Sequence, residues 1–186
     1  NAPLYGDAGT ATLIEKEENS KSFFGLYSDG SGEHAVKIPG GAYRHPFTEE
    51  TLKEQKFNDG SIRSNSQLFM DGMDVFNFAI SVVPKGIKEI IKVSSKELED
   101  IDYIVFHQAN KFMTDFFIKR LKFDTSKVPY CLSKYGNTSA ASVPLTIVSE
   151  FSKNQMNNKN VILSGFGAGL SWATAYIETK EILISN

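Results

Sequence analysis

One histidine in this sequence stands at a position where open α/β sheets commonly bind their ligands. His107 follows a β-rich run at residues 101–106 and precedes a helical pattern at residues 111–121. Backbone N–H groups at the start of such a helix point toward the same place, so an imidazole there is suited to contact a polar ligand. A single histidine at a strand end is more often a structural residue, since polar side chains also cap helices. His107 alone therefore indicates a site only weakly.

Two later stretches carry groups suited to the same kind of chemistry. Asn137 lies in a Gly-Asn-Thr-Ser-Ala-Ala-Ser run at residues 136–142, and a glycine-rich turn occupies residues 165–169. An imidazole N–H and a carboxamide N–H₂ both donate hydrogen bonds without needing a net charge. Each stretch also has a simpler interpretation, because asparagine after glycine is a common turn residue and glycines form tight turns. The glycine run is not a dinucleotide-binding fingerprint, since no helix and acidic partner follow it at the required spacing.

The composition is that of an ordinary soluble globular protein and argues against several other classes. A length of 186 residues leaves room for one domain, or one and a fraction. The formal net charge of −2 argues against a nucleic-acid-binding protein. A membrane span is not expected, because the sequence has no apolar run of about 18 residues. The single cysteine, Cys131, cannot form an internal disulfide, which fits a cytoplasmic location.

The pattern of elements predicts an α/β fold with a mixed, largely parallel sheet, helices on its faces and a closing antiparallel hairpin. Residues 66–186 carry this pattern. Residues 21–65 are predicted to form a variable loop region with a short helix near 48–55. Residues 1–20 are interpreted as the last strand of an earlier, related unit, because their turn-then-strand pattern recurs near the C-terminus. The predicted strands lie at about 10–14, 22–27, 101–106, 128–132, 160–166 and 171–179, and the long helices at 67–92, 111–121 and 139–153.

Taken together, three motifs resemble the C-terminal half of the β-ketoacyl-acyl-carrier-protein synthase III family of thiolase-like condensing enzymes. They are His-Gln-Ala-Asn at residues 107–110, Gly-Asn-Thr-Ser-Ala-Ala-Ser-Val-Pro at 136–144, and the glycine hairpin at 166–172. The opening Gly-Asp-Ala-Gly at residues 6–9 resembles a shortened form of the turn that closes the family's first half. The resemblance is best over residues 66–178.

This resemblance implies a thiolase-like fold of two related halves, usually dimeric, with a Cys-His-Asn catalytic set. His107 and Asn137 match the histidine and asparagine, which donate hydrogen bonds to a thioester oxygen as it becomes anionic. The backbone N–H of Ala168 matches an oxyanion-hole donor for the acyl-cysteine. The nucleophilic cysteine belongs to the first half. Cys131 does not match it, because it lies in a strand-like run with no following helix to lower its pKa, and a buried apolar role is expected.

The resemblance also implies substrates and partners. The reaction would be a decarboxylative condensation of an acyl-CoA with a malonyl thioester on acyl carrier protein, with no separate cofactor and no metal. Residues matching the family's pantetheine-binding positions are Gly72, Phe76, Gln108, Ala109, Asn110, Phe166 and Gly167. Basic residues that hold carrier or coenzyme phosphates in well-known members are replaced here by Asn77 and Phe112, although Lys111 could partly stand in. A specialised pathway is therefore favoured over the housekeeping one.

Two other functions stay open at this point. The chain could be a non-catalytic carrier-binding or dimerisation module, or part of an acyltransferase that does not decarboxylate its substrate. Without the N-terminal half that contains the nucleophile, the chain alone is expected to be inactive in condensation. It is also expected to self-associate, because the face that packs on the N-terminal half would be exposed.

Overall fold

The structure, a computed structural model, describes residues 4–185. Of the segment interpreted as a strand of an earlier unit, residues 1–3 lie outside the described part of the chain. In chain order, the elements are β1 (Ser22–Ser28), β2 (Val36–Lys37), α1 (Glu49–Leu52), β3 (Gln55–Lys56), β4 (Ile62–Arg63), β5 (Phe69–Met70), α2 (Gly72–Val93), β6 (Tyr103–Phe106), α3 (Lys111–Leu121), α4 (Leu132–Tyr135), α5 (Ser142–Glu150), β7 (Asn160–Gly167) and β8 (Ser171–Glu178).

The main sheet has four strands in the order β1-β8-β7-β6. Strands β6 and β7 are parallel, whereas β7 pairs with β8, and β8 with β1, in antiparallel fashion. The mixed α/β class and the closing hairpin are therefore confirmed. Only one of these pairings is parallel, so the sheet is less parallel than the sequence predicts.

One reason is that the strand predicted at residues 128–132 does not form. Pro129 has no N–H to give to a ladder. The N–H of Val128 donates to the Thr125 carbonyl at 3.1 Å, and that of Cys131 donates to the Gln108 side chain at 3.2 Å. With these donors engaged, the chain passes into the short helix α4 instead.

Helix α2 begins later than the apolar pattern suggests. Residues 69–70 pair with β2, and Asp71 then caps the helix by accepting hydrogen bonds from the N–H groups of Met73 and Asp74 at 3.0 Å. The helix continues through Pro84 to residue 93. Although α2 is 22 residues long, no helix in the described part of the chain has the length and apolar character needed to cross a bilayer.

Helices cover both faces of the sheet. The alternation of side chains along β6 and β7 sends Ile104 and Ile162 to the face covered by α2 and α3. Val105 and Val161 point to the opposite face, where they pack with Ile147 of α5. The ends of β6 and β7 therefore lie between two helical layers, and the residues that follow them are held on a rigid frame.

Of the two strands predicted before α2, one is absent and one is present. No strand forms at residues 10–14, where Leu13 and Ile14 are 85% and 87% exposed, because no described strand lies alongside to pair with them. The predicted strand at 22–27 is confirmed as β1. It lies at the edge of the sheet, with Phe24 and Leu26 exposed.

The predicted loop at residues 21–65 is partly ordered into short pairings. Strand β2 pairs with β5, and β3 with β4. The expected short helix is present as α1, capped by Thr48.

Candidate active site

His107 directly follows β6 and still belongs to its ladder. Its backbone N–H donates to the Ser164 carbonyl of β7 at 2.8 Å, which fixes the position of its Cα. The imidazole packs against the edge of Phe166, with ring centroids 5.6 Å apart. Its Nδ1 lies 2.6 Å from Oγ of Ser142, the first residue of α5. The ring is therefore oriented by a strand end, an aromatic side chain and a helix start.

Burial determines the charge of this imidazole. Removal from water lowers the pKa of His107 to about 4, against a smaller opposing effect of a hydrogen bond to the Ser139 backbone. The ring is consequently neutral near pH 7, when one nitrogen carries a proton and the other accepts.

Asn137 is held by the start of the described chain. Its N–H donates to the Leu4 carbonyl at 2.9 Å, and its carbonyl accepts from the Gly6 N–H at 3.0 Å. A Cβ on residue 6 would lie 1.8 Å from the Tyr135 carbonyl oxygen, so glycine is required for this approach. Gly136, at φ +68°, provides the turn that brings Asn137 to this position.

The carboxamide of Asn137 is fixed as well as its backbone. Its Oδ1 accepts a hydrogen bond from the Ser139 N–H at 2.9 Å. Because the amide oxygen accepts this hydrogen bond within the protein, the N–H₂ group remains as a donor for a ligand.

The glycine hairpin forms a third side of the same region. Strand β7 ends at Gly167, and residues 168–170 form a 3₁₀ turn in which Gly169 has φ +73°. Ala168 is exposed at this turn, next to the end of β7.

These elements line an open cavity of about 490 Å³. His107 and Asn137 both line it, so two side chains thirty positions apart in the chain share one space. Most of the other predicted site residues line it too. These are Gly72, Ala109, Asn110, Phe166, Gly167 and Ala168.

Among the predicted site residues, Gln108 and Phe76 do not line this cavity. The Gln108 side chain is buried behind the site, where Nε2 donates to the Phe106 carbonyl at 2.9 Å and Oε1 accepts from the Cys131 N–H. Phe76 stacks on Phe112, with centroids 5.7 Å apart. The Gln108 side chain therefore connects β6 to the chain before α4 through hydrogen bonds. Phe76 belongs to an aromatic cluster beside the cavity.

Asn110 has a structural role in addition to its place in the cavity wall. Its Oδ1 accepts a hydrogen bond from the Phe112 N–H at 2.8 Å and so caps α3. Asn110 therefore both caps α3 and lines the cavity.

Cys131 differs from the prediction in its local structure, although it is buried as expected. A helix does follow it, because Cys131 is the N-cap of α4. The thiol is nevertheless 1% exposed, with Sγ 3.1 Å from Oγ1 of Thr146, and burial raises its pKa. Cys131 does not line the cavity and behaves as a buried structural residue.

Two contributors to this site were not predicted from the sequence. Ser142 contacts His107 directly, and its position in the motif at the start of a predicted helix was the available signal. The pairing of Leu4 and Gly6 with Asn137 had no local signal, because it joins residues more than 130 positions apart.

Comparison with known proteins places this geometry in a family. Residues 92–179, which include His107, Asn137 and Ala168, match the family model described as 3-oxoacyl-[acyl-carrier-protein] synthase III, C terminal. The chain is 38% identical to a putative 3-oxoacyl-[acyl-carrier-protein] synthase 3 from Campylobacter jejuni, over all of this chain and 52% of that protein. It is also 38% identical to a β-ketoacyl-[acyl-carrier-protein] synthase III from Clostridium tetani, over 94% of this chain and 52% of that one.

The fold agrees with the sequence match. A crystal structure of a 3-oxoacyl-(acyl-carrier-protein) synthase III superposes with a TM-score of 0.78 at 27% identity, over 90% of this chain and 50% of that one. The chain spans about half the length of the curated relatives it matches. By its motifs, its fold and these matches, the chain belongs to the 3-oxoacyl-acyl-carrier-protein synthase III family, in the part that the family's C-terminal model describes.

Proposed function

We propose that this chain supplies the hydrogen-bond donors of a decarboxylative condensing acyltransferase of the synthase III type. The observation that carries the proposal is the cavity that His107 and Asn137 both line, one with a neutral imidazole and the other with a fixed carboxamide. Both groups donate without bringing a net charge into the cavity.

The proposed chemistry uses these donors at one oxygen. An acyl group passes from coenzyme A to a cysteine thiolate, which releases coenzyme A. A malonyl thioester on acyl carrier protein then loses carbon dioxide, and negative charge develops on its thioester oxygen. His107 and Asn137 would stabilise that enolate, whose carbon attacks the acyl-cysteine to give a 3-oxoacyl thioester and the free thiol. Donors placed in advance at such an oxygen typically contribute about 10²–10³ each in rate.

We propose that the thiol comes from outside this chain. Cys131 is buried away from the cavity with a raised pKa, so it is poorly suited to attack an acyl group. The relatives are about twice as long, which leaves room for a further domain that carries the nucleophile. Ala168, exposed at the turn after β7, would direct its backbone N–H to the acyl-cysteine oxygen.

The pantetheine arm of either substrate would enter along the remaining wall of the cavity. Gly72, Ala109 and Gly167 offer short side chains or none there, which leaves space for an extended chain. We further propose that the complete enzyme is a cytoplasmic homodimer that works with acyl carrier protein.

The test is a condensation assay with radiolabelled acyl-CoA and malonyl-carrier protein, run on the full-length protein that contains this chain. Replacing His107 or Asn137 by alanine should lower decarboxylation of the malonyl thioester by about 10²–10³, because each change removes one donor. The exposed His45 provides the control, and His45→Ala should leave the rate unchanged.

Three results would contradict parts of the proposal. Turnover by this chain alone would show that no outside thiol is needed. Acyl transfer by the full-length protein without release of carbon dioxide would identify a non-decarboxylating acyltransferase. Carrier-protein binding with no transfer at all would identify a binding module.

A further inference from the structure

A closed ring of hydrogen bonds lies directly behind His107. The Gln108 N–H donates to Ser142 Oγ at 3.4 Å, and Gln108 Oε1 accepts from the Cys131 N–H at 3.2 Å. The Cys131 thiol lies 3.1 Å from Thr146 Oγ1, and the Thr146 hydroxyl donates to the Ser142 carbonyl at 2.7 Å. All four residues are at most 1% exposed. The ring joins the end of β6, the start of α4 and the first turn of α5.

The positions of the hydrogen atoms in this hydrogen-bond ring follow from the groups that can act only as donors or only as acceptors. The Gln108 amide is always a donor, so it directs its hydrogen at a lone pair of Ser142 Oγ. Because the Thr146 hydroxyl is committed to the Ser142 carbonyl, the Cys131 S–H is left to donate to Thr146 Oγ1. Ser142 Oγ has two contacts in the described structure, namely the Gln108 N–H and Nδ1 of His107.

The hydroxyl hydrogen of Ser142 therefore has one suitable acceptor among these contacts. If the imidazole proton were on Nδ1, Ser142 Oγ would face two donors, Nδ1–H and the Gln108 N–H. The buried hydroxyl hydrogen of Ser142 would then have no acceptor, which is unfavourable. If Nδ1 is unprotonated, the Ser142 hydroxyl donates to it at 2.6 Å, and every donor described for the hydrogen-bond ring has an acceptor.

We propose that Ser142 is a positioning residue that fixes His107 as the neutral tautomer with its proton on Nε2. Ser142 contacts Nδ1 and not Nε2, and His107 lines the cavity shared with Asn137. The catalytic use of that N–H rests on the function proposed above, whereas the tautomer itself does not. The buried ring of hydrogen bonds fixes the orientation of Ser142. Of its four residues, only Ser142 has a side chain hydrogen-bonded to the imidazole in the described structure.

The test is nuclear magnetic resonance on this chain labelled with ¹⁵N-histidine, because the nitrogen shifts of a neutral imidazole report which nitrogen is protonated. The chain has three histidines, so assignment with a His107→Gln variant is direct. Near pH 7, Nε2 of His107 should be protonated and Nδ1 should not.

The variants separate a specific contact from a general effect on folding. Ser142→Ala should lower the ratio of the Nε2–H to the Nδ1–H tautomer by about tenfold, the effect of one lost hydrogen bond. Ser142→Thr keeps the hydroxyl and should restore the wild-type ratio. Ser149→Ala removes a hydroxyl elsewhere on α5 and should change nothing.

Two results would overturn the proposal. One is a wild-type ring protonated at Nδ1, with that proton directed to the Ser139 carbonyl. The other is a folded Ser142→Ala protein with an unchanged tautomer ratio. If Ser142→Ala fails to fold, the wild-type spectrum still decides between the two nitrogens. None of these readouts requires turnover, so a failed condensation assay leaves the tautomer assignment standing, and the reverse is also true.

Discussion

The carbonyl of Asn137 accepts a hydrogen bond from the N–H of Gly6 at 3.0 Å, across more than 130 residues of chain. This contact makes a peripheral segment part of the candidate site. Its effect on function can be separated from its effect on stability, because residues 7–18 beyond it are exposed and irregular.

Replacing Gly6 by alanine should impair catalysis more than folding. The new Cβ would lie 1.8 Å from the Tyr135 carbonyl oxygen, so the segment must shift and Asn137 loses its backbone partners. We expect condensation by the full-length protein to fall by about 10²-fold, as for a catalytic group displaced by about 1 Å. Gly9→Ala is the matched control, because nothing lies within 4 Å of a Cβ there. Equal rates for the two variants would contradict a positioning role for this segment.

The stability of the chain should depend on pH through His107. Its pKa is lowered by burial from 6.5 to about 4, so between these values the unfolded chain binds a proton that the folded chain does not. The free energy of unfolding should therefore fall as the pH drops below 6.5, by about 2 kcal/mol at pH 5 and up to roughly 3 kcal/mol near pH 4.

This dependence can be measured by urea unfolding at pH 7 and pH 5. His107→Gln should remove the component due to this group, whereas the exposed His45→Gln should retain it. A His107→Gln protein with the same change between the two pH values as the wild type would disprove the assignment.

Cys131 should be almost unreactive in the folded protein. Its thiol is 1% exposed and burial raises its pKa, so little thiolate is available to attack an alkylating reagent. Intact-mass measurement should show slow modification by iodoacetamide in buffer and rapid modification in urea. A Cys131→Ala, Ser133→Cys double variant places the single thiol on the exposed side of α4 and should react quickly without denaturant. Native labelling of Cys131 at the rate of that control would contradict a buried structural role.

The start of α2 should depend on Asp71. Its Oδ1 accepts hydrogen bonds from two N–H groups of the first turn, so Asp71→Ala leaves them without a side-chain partner. The expected cost is about 1 kcal/mol of unfolding free energy, measured by chemical denaturation. Lys88→Ala, on the exposed side of the same helix, should change this free energy by less than about 0.5 kcal/mol. A loss confined to Lys88→Ala would show that the cap is unimportant.

The parts predicted correctly from sequence share one property, which is that their signals are local. Helix α3 follows the predicted range because its apolar spacing and the Asn110 cap lie within one stretch of chain. The grouping of His107 and Asn137 in one site was implied by the resemblance of their two short motifs to a known family, and both residues line one cavity.

The errors arose where distant contacts decide the structure. The run at 128–132 has strand-like composition, but the Gln108 side chain takes the N–H of Cys131. The opening segment has strand-like residues at 10–14, but no described strand is available to pair with them. The contact between His107 and Ser142 depends on how α5 packs against β6, which periodicity does not specify.

The position of β1 at the rim of the sheet has a practical consequence. One side of this strand carries backbone groups without ladder partners in the described structure, and Phe24 and Leu26 protrude beside them at 68% and 76% exposure. Such a rim is a template on which another extended segment can be added. We therefore expect concentrated solutions of this chain to form aggregates or fibrils with time, and Leu26→Lys should slow this aggregation, which light scattering can measure.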